Sequence, residues 1–127
     1  SDVCSSDLLL NNISLFNENL SQKQKEKIIL LCRMVHLNYP LDYLIARNGE
    51  NLSGGEVAKI CLIRELYREK SLLFIDEPMN DIDDDSEKDI IDLLLRLDKT
   101  IIMVAHGLYS SKQFEQIVIQ NGTLQEK

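Results

Sequence analysis

At 127 residues the chain is one domain or part of one, and a globular chain of that size buries roughly two-thirds of its unfolded surface. Its 44% hydrophobic and 28% charged residues are an ordinary soluble composition, which excludes wholesale disorder. A net charge of −7, from 14 basic and 21 acidic residues, argues against a nucleic-acid backbone or an anionic membrane as the main partner, because counterion release needs clustered Lys and Arg.

Residues 1–7 are small and polar, without the basic start and apolar centre of a signal peptide. They read as a disordered or foreign tail. There is no initiator Met, so the chain is expected to start inside something longer. No apolar run approaches the ~18–20 residues that span a bilayer. The three cysteines, Cys4, Cys32 and Cys61, are odd in number and far apart, which suggests a reducing, cytosolic setting.

Residues 21–37 carry a helical pattern. Ser21 and Gln24 fit a capping box, and Ile28, Leu31, Cys32 and Val35 fall on one stripe. Ile29, Leu30, Met34 and Leu37 widen that stripe, so this helix is buried or docks a partner. Tyr39-Pro40 is expected to end it. A short apolar piece, 41–45, runs into the loop chemistry of Arg47-Asn48-Gly49-Glu50-Asn51.

Ser53-Gly54-Gly55 opens a second helix reaching about Glu69, with Val57, Ile60, Cys61 and Arg64 on one side. Residues 71–75 form a continuous apolar run that ends in Asp76-Glu77-Pro78. A helix from near Ser86 carries Ile90, Leu94 and Leu97, and a second apolar run, 100–105, ends at His106-Gly107. Continuous runs separated by a helix predict a parallel sheet buried on both faces. Residues 116–126, with Asn121-Gly122 at the turn, predict a hairpin.

Three places could carry chemistry. The first is the end of the 72–75 strand, where Asp76 and Glu77 would project from the carboxyl edge of the sheet. Asp76 could hold Mg²⁺ and Glu77 could polarise a water, although a surface Asp-Glu pair is as common there. The second is Leu52-Ser53-Gly54-Gly55-Glu56, where glycines at a helix start suit an anion. A plain serine cap with flexible glycines explains the same residues. The third is His106, at the same sheet edge, which could donate to a phosphate oxygen or serve structure alone. The acidic residues Asp81, Asp83, Asp84, Asp85, Glu87 and Asp89 lack the spacing of a calcium loop. Most of them read as solvated charges at a helix start, each stabilised by ~0.3–1 kcal/mol.

Taken in order, these motifs closely resemble the nucleotide-binding domain of the ATP-binding cassette (ABC) family. Residues 52–56 resemble its signature, and residues 72–78 its Walker B strand with a catalytic glutamate. Arg64 stands where the signature helix usually has arginine. Asn80-Asp81-Ile82-Asp83 falls at the D-loop and Val104-Ala105-His106-Gly107 at the switch histidine. The resemblance covers residues 8–127.

It implies an α/β fold of the P-loop NTPase type: a parallel sheet flanked by helices, a helical signature subdomain and a carboxyl-terminal β-hairpin. Residues 8–52 would belong to the helical subdomain and 53–127 to the core. The cofactors implied are ATP and Mg²⁺. Glu77 and His106 would be catalytic, with His106 at the γ-phosphate, and Asp76 would position Mg²⁺. Ser53, Gly54, Gly55 and Glu56 would face the nucleotide of a second cassette in a head-to-tail dimer, and Asp83 would bridge the interface. Residues 46–51 and the apolar helix around Ile28–Val35 would face transmembrane domains at the cytoplasmic side of the cell membrane. The stretch before the signature, and residues 10–15, resemble exporter-type members.

Two departures stand out. Glu56 replaces the usual Gln, while the phosphate-facing Ser53 and Gly55 are kept, so function is expected to survive. No G-x-x-x-x-G-K-[ST] loop occurs anywhere. The chain is therefore expected to be the carboxyl half of a cassette without its Walker A half, inactive alone. Rival readings are a soluble ABC-type ATPase of DNA repair or translation, and a non-hydrolysing interaction module. The acidic charge counts against the first, and Glu77 with His106 against the second.

Overall fold

The computed structural model describes residues 7–77, 81–104, 114–115 and 117–125. Their order is β1 (Asp7–Leu8), α1 (Leu9–Ser14), α2 (Gln22–Met34), β2 (Leu44–Ile45), α3 (Gly54–Tyr67), β3 (Leu72–Asp76), α4 (Asp84–Arg96), β4 (Thr100–Val104), β5 (Val118–Gln120) and β6 (Thr123–Gln125). Asp7 belongs to this fold rather than to a tail. It pairs with Ile45 across the antiparallel β1–β2 ribbon, and its carboxylate accepts from the Leu8 N–H and the Asn11 side chain.

The α2 start follows the sequence pattern. Ser21 Oγ accepts from the Gln24 N–H at 3.2 Å while the Gln24 side chain accepts from the Ser21 N–H at 2.8 Å. Its end comes earlier than Tyr39-Pro40 implies. His36 takes a left-handed conformation (φ 58°), so its N–H reaches the Arg33 carbonyl and that of Leu37 the Cys32 carbonyl. This is a Schellman closure, usually built on glycine, and it sends Leu37 into the core. His36 also meets Asp89 of α4 at 2.6 Å.

α3 is the central helix. It packs against α1 and α2, and its Ile60, Ile63 and Leu66 join Leu9, Ile13, Ile28, Cys32, Ile90 and Leu94 in one buried cluster. Burial pushes the Cys32 thiol up to about 11, so it behaves as an apolar side chain. Among the described residues no helix is long and apolar enough to cross a membrane.

β3 and β4 pair in parallel, with Leu72 opposite Thr100 and Asp76 opposite Val104. Their parallel pairing agrees with the sequence, but their burial does not. Alternate residues point to opposite faces. Leu73 is buried and Ile75 and Ile101 pack on the core, whereas Leu72, Phe74, Ile102 and Val104 are exposed, Phe74 by 68%. The expectation of burial on both faces is therefore corrected. Apolar runs are continuous here although only one face is covered by the described residues. β5 and β6 form the expected hairpin, with Asn121 and Gly122 both at positive φ.

The uncovered strip should make a chain of these 127 residues self-associate. Light scattering at matched concentration should fall clearly for a Phe74→Lys/Ile102→Lys variant. Undiminished scattering would place the sticky surface elsewhere.

Candidate functional site

The signature-like turn is a capped helix start. Ser53 Oγ accepts from the Glu56 N–H at 3.2 Å, and the Glu56 carboxylate accepts from the Ser53 N–H at 2.8 Å. This box leaves the N–H groups of Gly54 and Gly55 outside it, at the positive end of the α3 dipole.

Both carboxylate oxygens of Glu56 are engaged. Oε2 takes the Ser53 N–H and Oε1 takes the Tyr39 hydroxyl at 2.8 Å. Burial raises this carboxyl, but the bonds from Ser53 and Tyr39 and the nearby Lys59 charge outweigh it, leaving it below its ordinary value. The same bond, with some burial, raises the Tyr39 phenol. Tyr39 stacks on Tyr43 with ring centroids 4.2 Å apart. Asn51 donates to the Tyr43 hydroxyl and the Leu44 carbonyl and accepts from the Ala46 N–H, which fixes the loop leading into the turn.

The two glycines have a packing reason as well. A Cβ at Gly55 would lie 2.4 Å from the Asp81 carbonyl oxygen, and one at Gly54 would lie 2.8 Å from Asp81 Oδ2. Anion approach alone therefore does not explain them. They let the start of α3 lie against the segment before α4.

That segment presents Asp83 as the N-cap of α4, with Oδ1 accepting from the Ser86 N–H at 2.9 Å. The backbone and side chain of Ser86 are the main cause that brings the Asp83 carboxyl down to about 2. Burial opposes this lowering, and the Lys59 ammonium adds a smaller one. Asp76 ends β3, exposed, and Glu77 follows in a left-handed conformation (φ 46°) with its N–H on the Val104 carbonyl at 2.8 Å. Both carboxylates thus stand at the carboxyl end of the β3–β4 pair. His106 lies outside the described residues.

The structure thus brings Gly54 and Gly55 against Asp81 and Ile82, keeps Ser53 and Glu56 together in the cap of the same helix, and sets Asp76 and Glu77 at a strand end. Sequence reasoning missed Tyr39 and Lys59, and it placed Asp81 in the D-loop without the contact its carbonyl makes with Gly55. Lys59 had a signal: it heads the stripe Lys59, Ile63 and Leu66 at helical spacing, where a cation needs a buried partner.

The family model for ABC transporters matches residues 2–80. The chain belongs to the ABC transporter family. It is 33% identical over 122 residues to an ATP-dependent lipid A-core flippase 2 of Colwellia psychrerythraea, covering 91% of this chain and 21% of that protein. It is 40% identical over 77 residues to multidrug resistance protein 1 of Plasmodium falciparum, covering 58% of this chain and 5% of that one. The fold matches a bacterial Atm1-family ABC exporter with ATP bound, at a TM-score of 0.81 and 23% identity over 98% of this chain and 23% of that one. Within the family the chain is an exporter-like nucleotide-binding domain portion. It spans about a fifth of the length of the flippases it matches.

Two outcomes follow from the geometry. Gly55→Ala should lower the unfolding midpoint more than Gly54→Ala, because a backbone carbonyl cannot swing aside as the Asp81 side chain can. Overpacking of this kind costs ~1–3 kcal/mol. Equal midpoints would contradict the close approach. Because the Asp83 carboxyl is lowered on folding, its stabilisation is present above its unfolded value and fades as pH falls toward about 2. The midpoint gap between parent and Asp83→Asn should therefore be full at about pH 6 and shrink below about pH 4. A gap independent of pH would refute the assignment.

Proposed function

We propose that the chain is part of the ATP-hydrolysing motor of an exporter-type ABC transporter. It would contribute the signature, Walker B, D-loop and switch-histidine elements. The observation that carries this reading is the close approach of the signature-like glycines, Gly54 and Gly55, to Asp81 and Ile82, in a chain whose family membership is shown.

The residues fit the cofactors. Asp76 is an exposed hard-oxygen donor, and Mg²⁺ typically takes one or two carboxylates plus phosphate oxygens. Ser53 Oγ and the N–H groups of Gly54 and Gly55 suit a phosphate, and the Glu56 charge is occupied by Ser53 and Tyr39. Bound Mg-ATP supplies the phosphoanhydride bond that is cleaved and charge neutralisation at its phosphates. Asp76 would hold the metal, Glu77 would orient a water and accept its proton, and His106 would contact the γ-phosphate. Ser53 and Gly55 would meet the nucleotide held by a second cassette, with Asp83 bridging the two. Residues 8–52 would form part of the helical subdomain facing transmembrane domains at the cytoplasmic side of the membrane, and residues 53–127 part of the core.

The ATPase reading is tested in the full-length parent protein. A positioned general base contributes ~10²–10⁴-fold, and Gln keeps the shape without the basicity. Glu77→Gln should bind Mg-ATP, hydrolyse it at least ~10²-fold more slowly and accumulate as a closed dimer on size measurement. Turnover at the parental rate would remove Glu77 from the mechanism.

A further inference from the structure

Lys59 is a charged residue in an apolar place. Its side chain is 8% exposed, on the helix that also supplies buried Ile60 and Ile63 to the core. A buried ammonium is costly unless partnered, and this one has two partners, both at the start of α4. Nζ donates to Ser86 Oγ at 2.9 Å and lies 3.6 Å from Asp83 Oδ2. Ser86 is itself buried, and its N–H holds the other Asp83 oxygen. Asp83 is therefore gripped from both sides while its side chain stays 64% exposed. One turn earlier on α3, Gly55 lies against the Asp81 carbonyl.

We propose that Lys59 is a positioning residue that locks the Asp83 carboxylate to the helix bearing the Ser53–Gly55 turn. The inference rests on the reading that both face a second cassette. Two contacts one turn apart, a glycine on Asp81 and a lysine on Asp83 and Ser86, make the turn and the carboxylate one rigid piece. Both then reach the opposing nucleotide and interface in a fixed register. Removing the ammonium leaves the Asp83–Ser86 cap of α4 intact, so the element survives while its tie to α3 is lost.

The test uses the full-length parent protein with Mg-ATP, comparing Lys59→Met, Lys59→Arg and Ser86→Ala. Misplacement of a positioning group by about 1 Å can cost on the order of 10²-fold. Lys59→Met should lower kcat by roughly 10- to 100-fold with KM for ATP nearly unchanged, since its target is register and not nucleotide affinity. Lys59→Arg should recover most of the loss by restoring the cation. Ser86→Ala keeps the backbone cap and should lower kcat in the same direction. A Lys59→Met protein with parental kcat, or one changed in KM alone, overturns the proposal. So does a lost kcat that Lys59→Arg leaves unrestored. If Lys59→Met fails to fold, Ser86→Ala decides, and parental kcat there overturns it. A parent without ATPase activity sinks the motor reading and this inference together, whereas an active parent with an active Lys59→Met variant sinks this inference alone.

Discussion

The Asp81 carbonyl oxygen occupies the space that any side chain at position 55 would need. This close approach decides how α3 can lie. With its first turn pressed on the backbone before α4, the rest of α3 is aimed back through the core. Lys59 then meets Ser86, Ile60 and Ile63 enter the apolar cluster, and Arg64 Nε donates to the Asn12 carbonyl of α1 at 2.8 Å. A methyl group at the first contact would tilt the helix and disturb each later one. One helix thereby joins the helical part of the chain to the strand–helix–strand part, and polar contacts mark both ends of the join.

The acidic excess looks unhelpful for the phosphate-facing role proposed for this chain, yet the charges are placed to limit the conflict. Glu56 and Asp83 each sit at a helix start, where the dipole and free N–H groups favour a carboxylate. Each also has a donor beyond the backbone: the Tyr39 hydroxyl for Glu56, the Lys59 ammonium for Asp83. The Glu56 case explains how a carboxylate can stand where the family usually has an amide. Two acceptor oxygens serve two separate donors, Ser53 N–H and Tyr39 O–H. A glutamine would bring one acceptor and one donor, so the tyrosine hydroxyl would have to turn and accept.

Much of this was legible in the sequence because it is local. Ser21 with Gln24, Ser53 near the next helix start, and Asn121-Gly122 between short strands all act within a few residues, and the structure has all three features. The parallel pairing of β3 and β4 followed from two apolar runs flanking a helix. Burial of both their faces by the described residues did not follow, because an apolar run records what a surface requires and not which residues supply it. The early end of α2 was hidden too, since His36 does a task normally signalled by glycine. Tyr39 and Asp81 reach their partners across sequence separations that no spacing rule covers.

Of the eight non-glycine residues at positive φ among the described residues, two fall where the resemblance places the chemistry. Glu77 and Asp81 are both non-glycine residues in the left-handed region, at φ 46° and 63°. Such conformations cost L-residues ~1–2 kcal/mol each and persist only where neighbours hold them. Here the holding groups are visible. The Glu77 N–H is tied to the Val104 carbonyl, extending the β3–β4 ladder by one bond as the chain turns away. Asp81 is clamped by the Gly54–Gly55 backbone, and its own carbonyl is the atom that excludes a side chain there. A strand running straight on past Asp76 would keep pairing with β4 and send its carboxylates to alternate faces. The left-handed conformation at Glu77 breaks that alternation at the strand end, and Asp81, also left-handed, sets its carbonyl against Gly55 two residues before Asp83 caps α4. Each strained residue thus stands at the edge of a regular element, Glu77 after β3 and Asp81 before α4, and gives the backbone a direction that the element could not take while remaining regular.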